Sequence, residues 1–383
     1  MDFELSDEQR LLRDSVERLT AQRYDFETRR KYMAEPEGWS RAMWKQYVDL
    51  GLTALPFAEE HGGIGGGPVE TMIVMEAFGR ALALEPYLAT VVLGGGLVRR
   101  CRNDALKAEL LPKVAAGEAL LAFAHTERQA RYDLADVATT AKKDGAGYVL
   151  DGAKSLVLHG DAASHFIVSA RLSGDQRSRT GIGLFLVDAK AAGVSVQGYG
   201  TIDGLRAAEV TLGGVKVAPG LAIDREGNAI VLIEQVVDSA IAALCAEAVG
   251  AMSAMHEITV DYLKQRKQFG VPIGNFQVLQ HRAGDMLIAL EQARSMAMLA
   301  TMMSEEENTA ERRKAISAAK VQIGRSAKFV GQQAIQLHGG IGMTMEYKVG
   351  HYFKRVTMID TMFGDADYHL AALARTGGII GAK

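Results

Sequence analysis

Apolar positions near the start of the chain recur at steps of three and four, through Leu11, Leu12, Val16 and Leu19, the spacing of one helix face. Ser6 precedes Asp7, Glu8 and Gln9, an N-cap followed by an acidic first turn, so a helix is predicted to begin there. The pattern stays helical to about Gly117, with a glycine-rich break over 61–68 and a further predicted helix over 70–82. From about Leu120 the period changes to two. Runs at 147–151, 165–170, 183–187, 194–198 and 208–212, each bounded by turn formers, predict the strands of a small sheet domain. After Glu226 the helical period returns and holds to the end, with Asn308 predicted to open a polar stretch between long helices. Helix, sheet, helix divides the chain into 1–118, 119–226 and 227–383.

Composition narrows the class. With 383 residues, 48% of them hydrophobic, the chain can bury two or three packed layers. A net charge of −3 creates no long-range field for nucleic acid or an anionic membrane. Cys101 and Cys245 lie far apart without metal-ligand spacing and read as reduced thiols of a cytoplasmic protein. The acidic start does not read as a signal peptide, and no apolar run reaches the ~20 residues of a spanning helix, so no membrane insertion is expected.

Two segments of the last block carry the chemistry. One is Arg266-Lys267-Gln268-Phe269-Gly270-Val271-Pro272-Ile273-Gly274-Asn275-Phe276-Gln277, the other Gln336-Leu337-His338-Gly339-Gly340-Ile341-Gly342. With PFAEEHGGIG at 56–65, AFAHTE at 122–127 and Asp151-Gly152-Ala153-Lys154, they resemble the acyl-CoA dehydrogenase family over essentially the whole chain. The resemblance implies a mostly α fold: an N-terminal helical domain, a central β-barrel, and a C-terminal four-helix bundle through which the protein oligomerises. It implies FAD, an acyl-CoA thioester substrate as in β-oxidation, and electron-transferring flavoprotein as acceptor. Thr126 falls on the family's flavin loop. Arg266, Phe269, Phe276, Gln277, Gln336, His338, Gly339 and Gly340 fall on elements that hold the pyrophosphate and adenosine of a neighbour's FAD. An arginine suits the pyrophosphate because its planar fork donates two hydrogen bonds at once.

The family reaction needs a carboxylate to remove the proton beside the thioester, placed within hydrogen-bond reach and made more basic by a dry pocket. Aligned from Arg355, the usual glutamate position is Gly364; counted back from Arg266, the second family position is Ala240, followed by Ile241. Two carboxylates are candidates in their place. Glu247 lies seven residues after Ala240, about 10 Å along a helix and on nearly the same face; it can instead pair with a cation across the bundle. Asp365 follows Gly364 and can instead cap the next helix. Leu158 stands where many members have a threonine facing flavin N5, and Arg131-Tyr132 replaces the Gly-Ser of the flavin loop.

These departures suggest the small subunit of a heteromeric, pimeloyl-CoA-type dehydrogenase. Such a chain lends Arg266 and residues 338–340 to an FAD whose ring and base sit in a larger paralogous subunit. The alternatives are a self-sufficient homo-oligomer using Glu247 or Asp365, and a non-catalytic scaffold subunit.

Overall fold

Gln9 N donates to Ser6 Oγ at 3.2 Å and Ser6 N donates to Gln9 Oε1 at 3.0 Å, a reciprocal capping box that starts α1 (Asp7–Arg23). The computed structural model describes residues 4–375. After α1 come α2 (Phe26–Met33), α3 (Arg41–Asp49), α4 (Pro68–Ala81), a π-helical stretch at Leu88–Gly95, α5 (Gly96–Arg100) and α6 (Asp104–Ala115). The strands follow: β1 (Leu121–Ala124), β2 (Thr140–Asp144), β3 (Gly147–Leu158), β4 (His165–Arg171), β5 (Ile182–Asp188), β6 (Val194–Gly200), β7 (Arg206–Val217) and β8 (Ala222–Asp224). The remainder is α7 (Ala229–Gln265), the hairpin β9 (Lys267–Gln268) and β10 (Val271–Pro272), then α8 (Gln277–Met303), α9 (Thr309–His338), α10 (Lys348–Thr361) and α11 (Ala366–Arg375).

All five predicted strands are present as β3 to β7. β1 is buried along its whole length and shows no alternation, and the outer end of β2 is Lys-Lys-Asp, so neither has the period-two signature. The expected barrel is not found. The sheet is an open ladder in the order β6-β7-β3-β2-β4-β5-β8, with β1 added parallel to β4, and no pairing among the described residues joins β6 to β8. Its weakest link is at the centre, where β2 and β4 share one pairing, Thr140 with Arg171. The polar stretch that opens at Asn308 does not lie between helices. The Asn308 side chain accepts from Ala310 N and Glu311 N, so the stretch is the first turn of α9.

The chain forms two compact units. One comprises 31–67 and 84–240 and carries the sheet, with Leu150, Phe166, Val168, Phe185, Val210 and Val215 in its core. The other comprises 1–30, 68–83 and 241–383. In it α1 packs on α4, and α9 packs against α8, α10 and α11. α7 is long and apolar enough to cross a membrane, which reading runs of consecutive apolar residues did not bring out. In the fold 78% of its apolar window is buried, the state of a core helix.

In the helical unit α4 and α7 meet backbone to backbone. A Cβ on Gly79 would lie 1.9 Å from the Glu247 carbonyl oxygen, and one on Gly250 would lie 1.9 Å from that of Glu76. Neither carbonyl is the end of a flexible side chain, so an added methyl forces the helices apart. Gly79→Ala and Gly250→Ala are each expected to lower stability by about 3 kcal/mol or more, read as a shift of the urea midpoint.

Candidate functional site

In the sheet unit, the residues around Thr126 are tied down by a buried polar network. The Lys154 ammonium, 1% exposed, donates to Glu127 Oε1 at 2.7 Å, Ser169 Oγ at 3.0 Å and the His125 carbonyl oxygen at 3.3 Å. All three of its donors are therefore used. Glu127 also accepts from Gln129 Nε2 and from the backbone N–H groups of Ala138 and Thr139. Burial works to raise its carboxyl, but Lys154 and these donors outweigh burial and hold it at about 2. Burial lowers Lys154 to about 8 against the pull of Glu127. Thr126, between two anchored neighbours, accepts from Ser155 N through its carbonyl, and its hydroxyl has no partner among the described residues. Arg131, at the family's glycine position, adopts φ +48°, the left-handed conformation a glycine takes without strain. The loop keeps that backbone shape but carries a side chain. Leu158 is half-buried in β3, and a register shift between Lys154 and Val157 leaves Leu156 at φ +52°.

In the helical unit, Arg266 and the 336–342 segment are joined. Arg266 N donates to Tyr262 O at 2.9 Å as α7 ends, and the Tyr262 ring lies 4.5 Å from that of His338 at the end of α9. His338 Nδ1 donates to Ala334 O at 2.7 Å, so the buried Nε2 is an acceptor; it has no donor among the described residues. Gly339 follows at φ +63° and ψ −142°, close to territory open only to glycine, and a Cβ on Gly339 or Gly340 would meet nothing within 4 Å. Phe269 and Gly270 form the two-residue hairpin loop, both with φ above +50°, the geometry of a type I′ turn. A phenylalanine is strained there, and Phe269 is 91% exposed, 6.1 Å from the ring of Phe276. Gln277 opens α8 and, like Gln336 and Arg266, is exposed.

Both candidate bases are engaged. Glu247 is buried and accepts from Arg355 Nε at 2.5 Å and Nη2 at 2.7 Å, tying α7 to α10. Asp365 Oδ1 accepts from Tyr368 N at 2.8 Å and so caps α11. Gly364 has φ +108°, and a Cβ there would lie 2.4 Å from Tyr368 Cδ1 and 2.7 Å from His369 Nε2. His369 fastens this turn by donating from Nε2 to Phe363 O at 3.1 Å, while its Nδ1 takes the Ser317 hydroxyl. Ala240, the other family position, is fully buried.

The comparisons agree with the fold. Residues 6–118, 122–215 and 231–378 match the profiles of the acyl-CoA dehydrogenase N-terminal, middle and C-terminal domains. A solved Tcur3481-Tcur3483 steroid ACAD variant is 30% identical, with a TM-score of 0.86 over 97% of both chains. The chain belongs to the acyl-CoA dehydrogenase family. It is also 27% identical to a probable acyl-CoA dehydrogenase, YngJ, of Bacillus subtilis (strain 168), over 98% of this chain and 99% of that one. The FAD complex of PigA is 25% identical, with a TM-score of 0.88 over 98% of both chains. Membership makes the protein an oxidoreductase acting on CH–CH bonds, with FAD as cofactor. The residues present fit that group. In the helical unit the exposed Arg266, the open space over Gly339 and Gly340 and the unmatched His338 Nε2 offer a donor, clearance and an acceptor for the phosphate and adenosine side of a dinucleotide, and in the sheet unit Thr126 offers a free hydroxyl.

The sequence did not single out His125 or Ser169. The signal available was a histidine ending an otherwise apolar run, and the β1–β4 register, Ala124 opposite Val168, brings the next pair together.

Two outcomes follow from these pairs. Glu247→Gln leaves the buried Arg355 cation without its counter-charge and is expected to cost about 3–5 kcal/mol, measured by chemical denaturation; unchanged stability would show the pair to be dispensable. Glu127 has a folded value of about 2 against an ordinary 4.5, so its stabilisation is complete above the higher value and is lost as pH falls through the lower. Glu127→Gln should flatten the decline of the urea midpoint across that window.

Proposed function

We propose that this chain is a subunit of a heteromeric acyl-CoA dehydrogenase that oxidises an acyl-CoA thioester to the trans-2-enoyl-CoA. In this reading it lends Arg266, Phe269 and residues 338–340 to the FAD of a neighbouring, larger paralogous subunit, which supplies the catalytic base. Bound FAD provides the two-electron acceptor, and electron-transferring flavoprotein is the proposed next carrier.

One observation carries the reading: the chain keeps an exposed, strained Phe269 hairpin beside Arg266 while both usual base positions hold Gly364 and Ala240. An aromatic held 91% in water is built to meet something outside the chain. The substitute bases weigh against self-sufficiency, since Glu247 is neutralised by Arg355 and Asp365 serves its helix. The Tcur3481-Tcur3483 relative, which carries two component names, supports a two-chain assembly.

The test is the full chain purified alone and co-purified with its larger paralogue. Arg266→Met in the complex is expected to weaken FAD retention at least about tenfold, the loss of a charge-assisted pair, without dissociating the subunits. Full FAD content in that variant would favour a scaffold. Turnover of acyl-CoA by the lone chain would exclude the heteromeric reading.

A further inference from the structure

Position 364 is closed to side chains by a residue of the next helix. His369, 6% exposed on α11, meets the Phe363 carbonyl oxygen through Nε2 at 3.1 Å and the Ser317 hydroxyl through Nδ1 at 3.1 Å. A carbonyl can only accept, so the ring proton is on Nε2 and Nδ1 accepts from Ser317. Burial, aided by the Lys320 charge, lowers the imidazole to about 4, so it stays neutral and keeps this tautomer near neutral pH. The Tyr368 ring braces it edge-on, with centroids 5.3 Å apart and planes at 88°. The imidazole is thus held at both nitrogens and swings aside only by breaking two buried hydrogen bonds.

A Cβ on Gly364 would lie 2.4 Å from Tyr368 Cδ1, 2.7 Å from His369 Nε2 and 3.0 Å from His369 Cδ2. All three are closer than carbon and nitrogen atoms pack. The peptide between Phe363 and Gly364 is oriented by the same hydrogen bond to Nε2, and Gly364 has φ +108°, a value that only glycine takes without strain. The rest of the turn is braced elsewhere. Lys320 Nζ donates to the carbonyl oxygens of Ile359 and Asp360, and Asp360 Oδ1 accepts from Ala366 N at 3.3 Å. Those contacts fix where α10 ends and α11 begins, but the three atoms nearest the missing Cβ belong to Tyr368 and His369.

We propose that His369 is the residue that keeps a base out of position 364. Its anchored imidazole fills the space a glutamate needs there and holds the peptide in a form only glycine accepts. The chain therefore cannot regain a carboxylate at this position by one substitution. Its dependence on a base from the larger subunit, a clause that rests on the heteromeric reading, is then fixed by Gly364 and His369 together.

The experiment is a double-mutant cycle on the full chain: Gly364→Ala and Gly364→Glu, each made in the wild type and together with His369→Ala, and read by the urea midpoint. In the wild type each is expected to lower the midpoint by about 1 M, the effect of overfilling a packed site. With His369→Ala present, at least about half of that shift should vanish, the coupling expected of residues in contact. The imidazole nitrogen NMR signals of His369 should report the Nε2–H tautomer in the wild type and move in Gly364→Ala. A shift of the same size with and without His369 would overturn the proposal, as would an unmoved midpoint in Gly364→Glu. If His369→Ala does not fold, the single variants and the nitrogen signals still decide. In the complex with the larger paralogue, His369→Ala should leave turnover per bound FAD within about twofold. Lost turnover in a complex that retains its FAD would give the imidazole a part in the reaction and overturn the proposal. Turnover by the lone chain would sink the heteromeric reading and leave the cycle to decide the role of His369 on its own.

Discussion

A single carboxylate–guanidinium pair, Glu247 with Arg355, organises the helical unit. Two hydrogen bonds in parallel fix both the distance and the rotation of α10 relative to α7. On the next face the Glu247 carbonyl presses on Gly79, so α4 is seated against the same turn of α7. α10 then leads into the turn at Gly364, and the Lys320 ammonium caps its end by donating to the carbonyl oxygens of Ile359 and Asp360. Shift Glu247 and three helices and the turn beyond them lose their reference. The residue that by position is a candidate base is thereby also the anchor of this packing, with both carboxylate oxygens accepting from one buried guanidinium.

What could be read in advance was whatever depends on local spacing. The Ser6 cap, the five long or well-alternating strands and the helical return after Glu226 are all set by neighbours within a few positions. Sheet closure is not local. Whether β6 meets β8 depends on accumulated twist and on the thin Thr140–Arg171 contact, and period-two patterning is silent about both. α7 escaped notice as a long apolar helix because its sparse acidic residues, among them Glu234, Asp238 and Glu247, break the apolar run while leaving the helix buried.

The candidate site divides the same way. Motif spacing located Arg266 and the 336–342 segment, and these do come together through Tyr262 and His338. For Glu247 and Asp365 the sequence left an ion pair or a cap open beside catalysis, and the fold supplies both partners: Arg355 lies 108 positions from Glu247 along the chain, and Tyr368 N donates to Asp365. His125 lacked any signal beyond its polarity, because its partners, Ser169 on β4 and Lys154 on β3, lie far from it along the chain.

The strained turn at Phe269 also has a bearing on supply. In the proposed heteromer, a copy of this chain left without its larger partner displays a bare aromatic tip, with Val271 and Phe276 nearby also open to water. Such a surface adheres to whatever apolar partner it meets first. In that reading, balanced synthesis of the two subunits is a matter of solubility as well as of activity, and a surplus of this one is the more hazardous the better its hairpin is preserved.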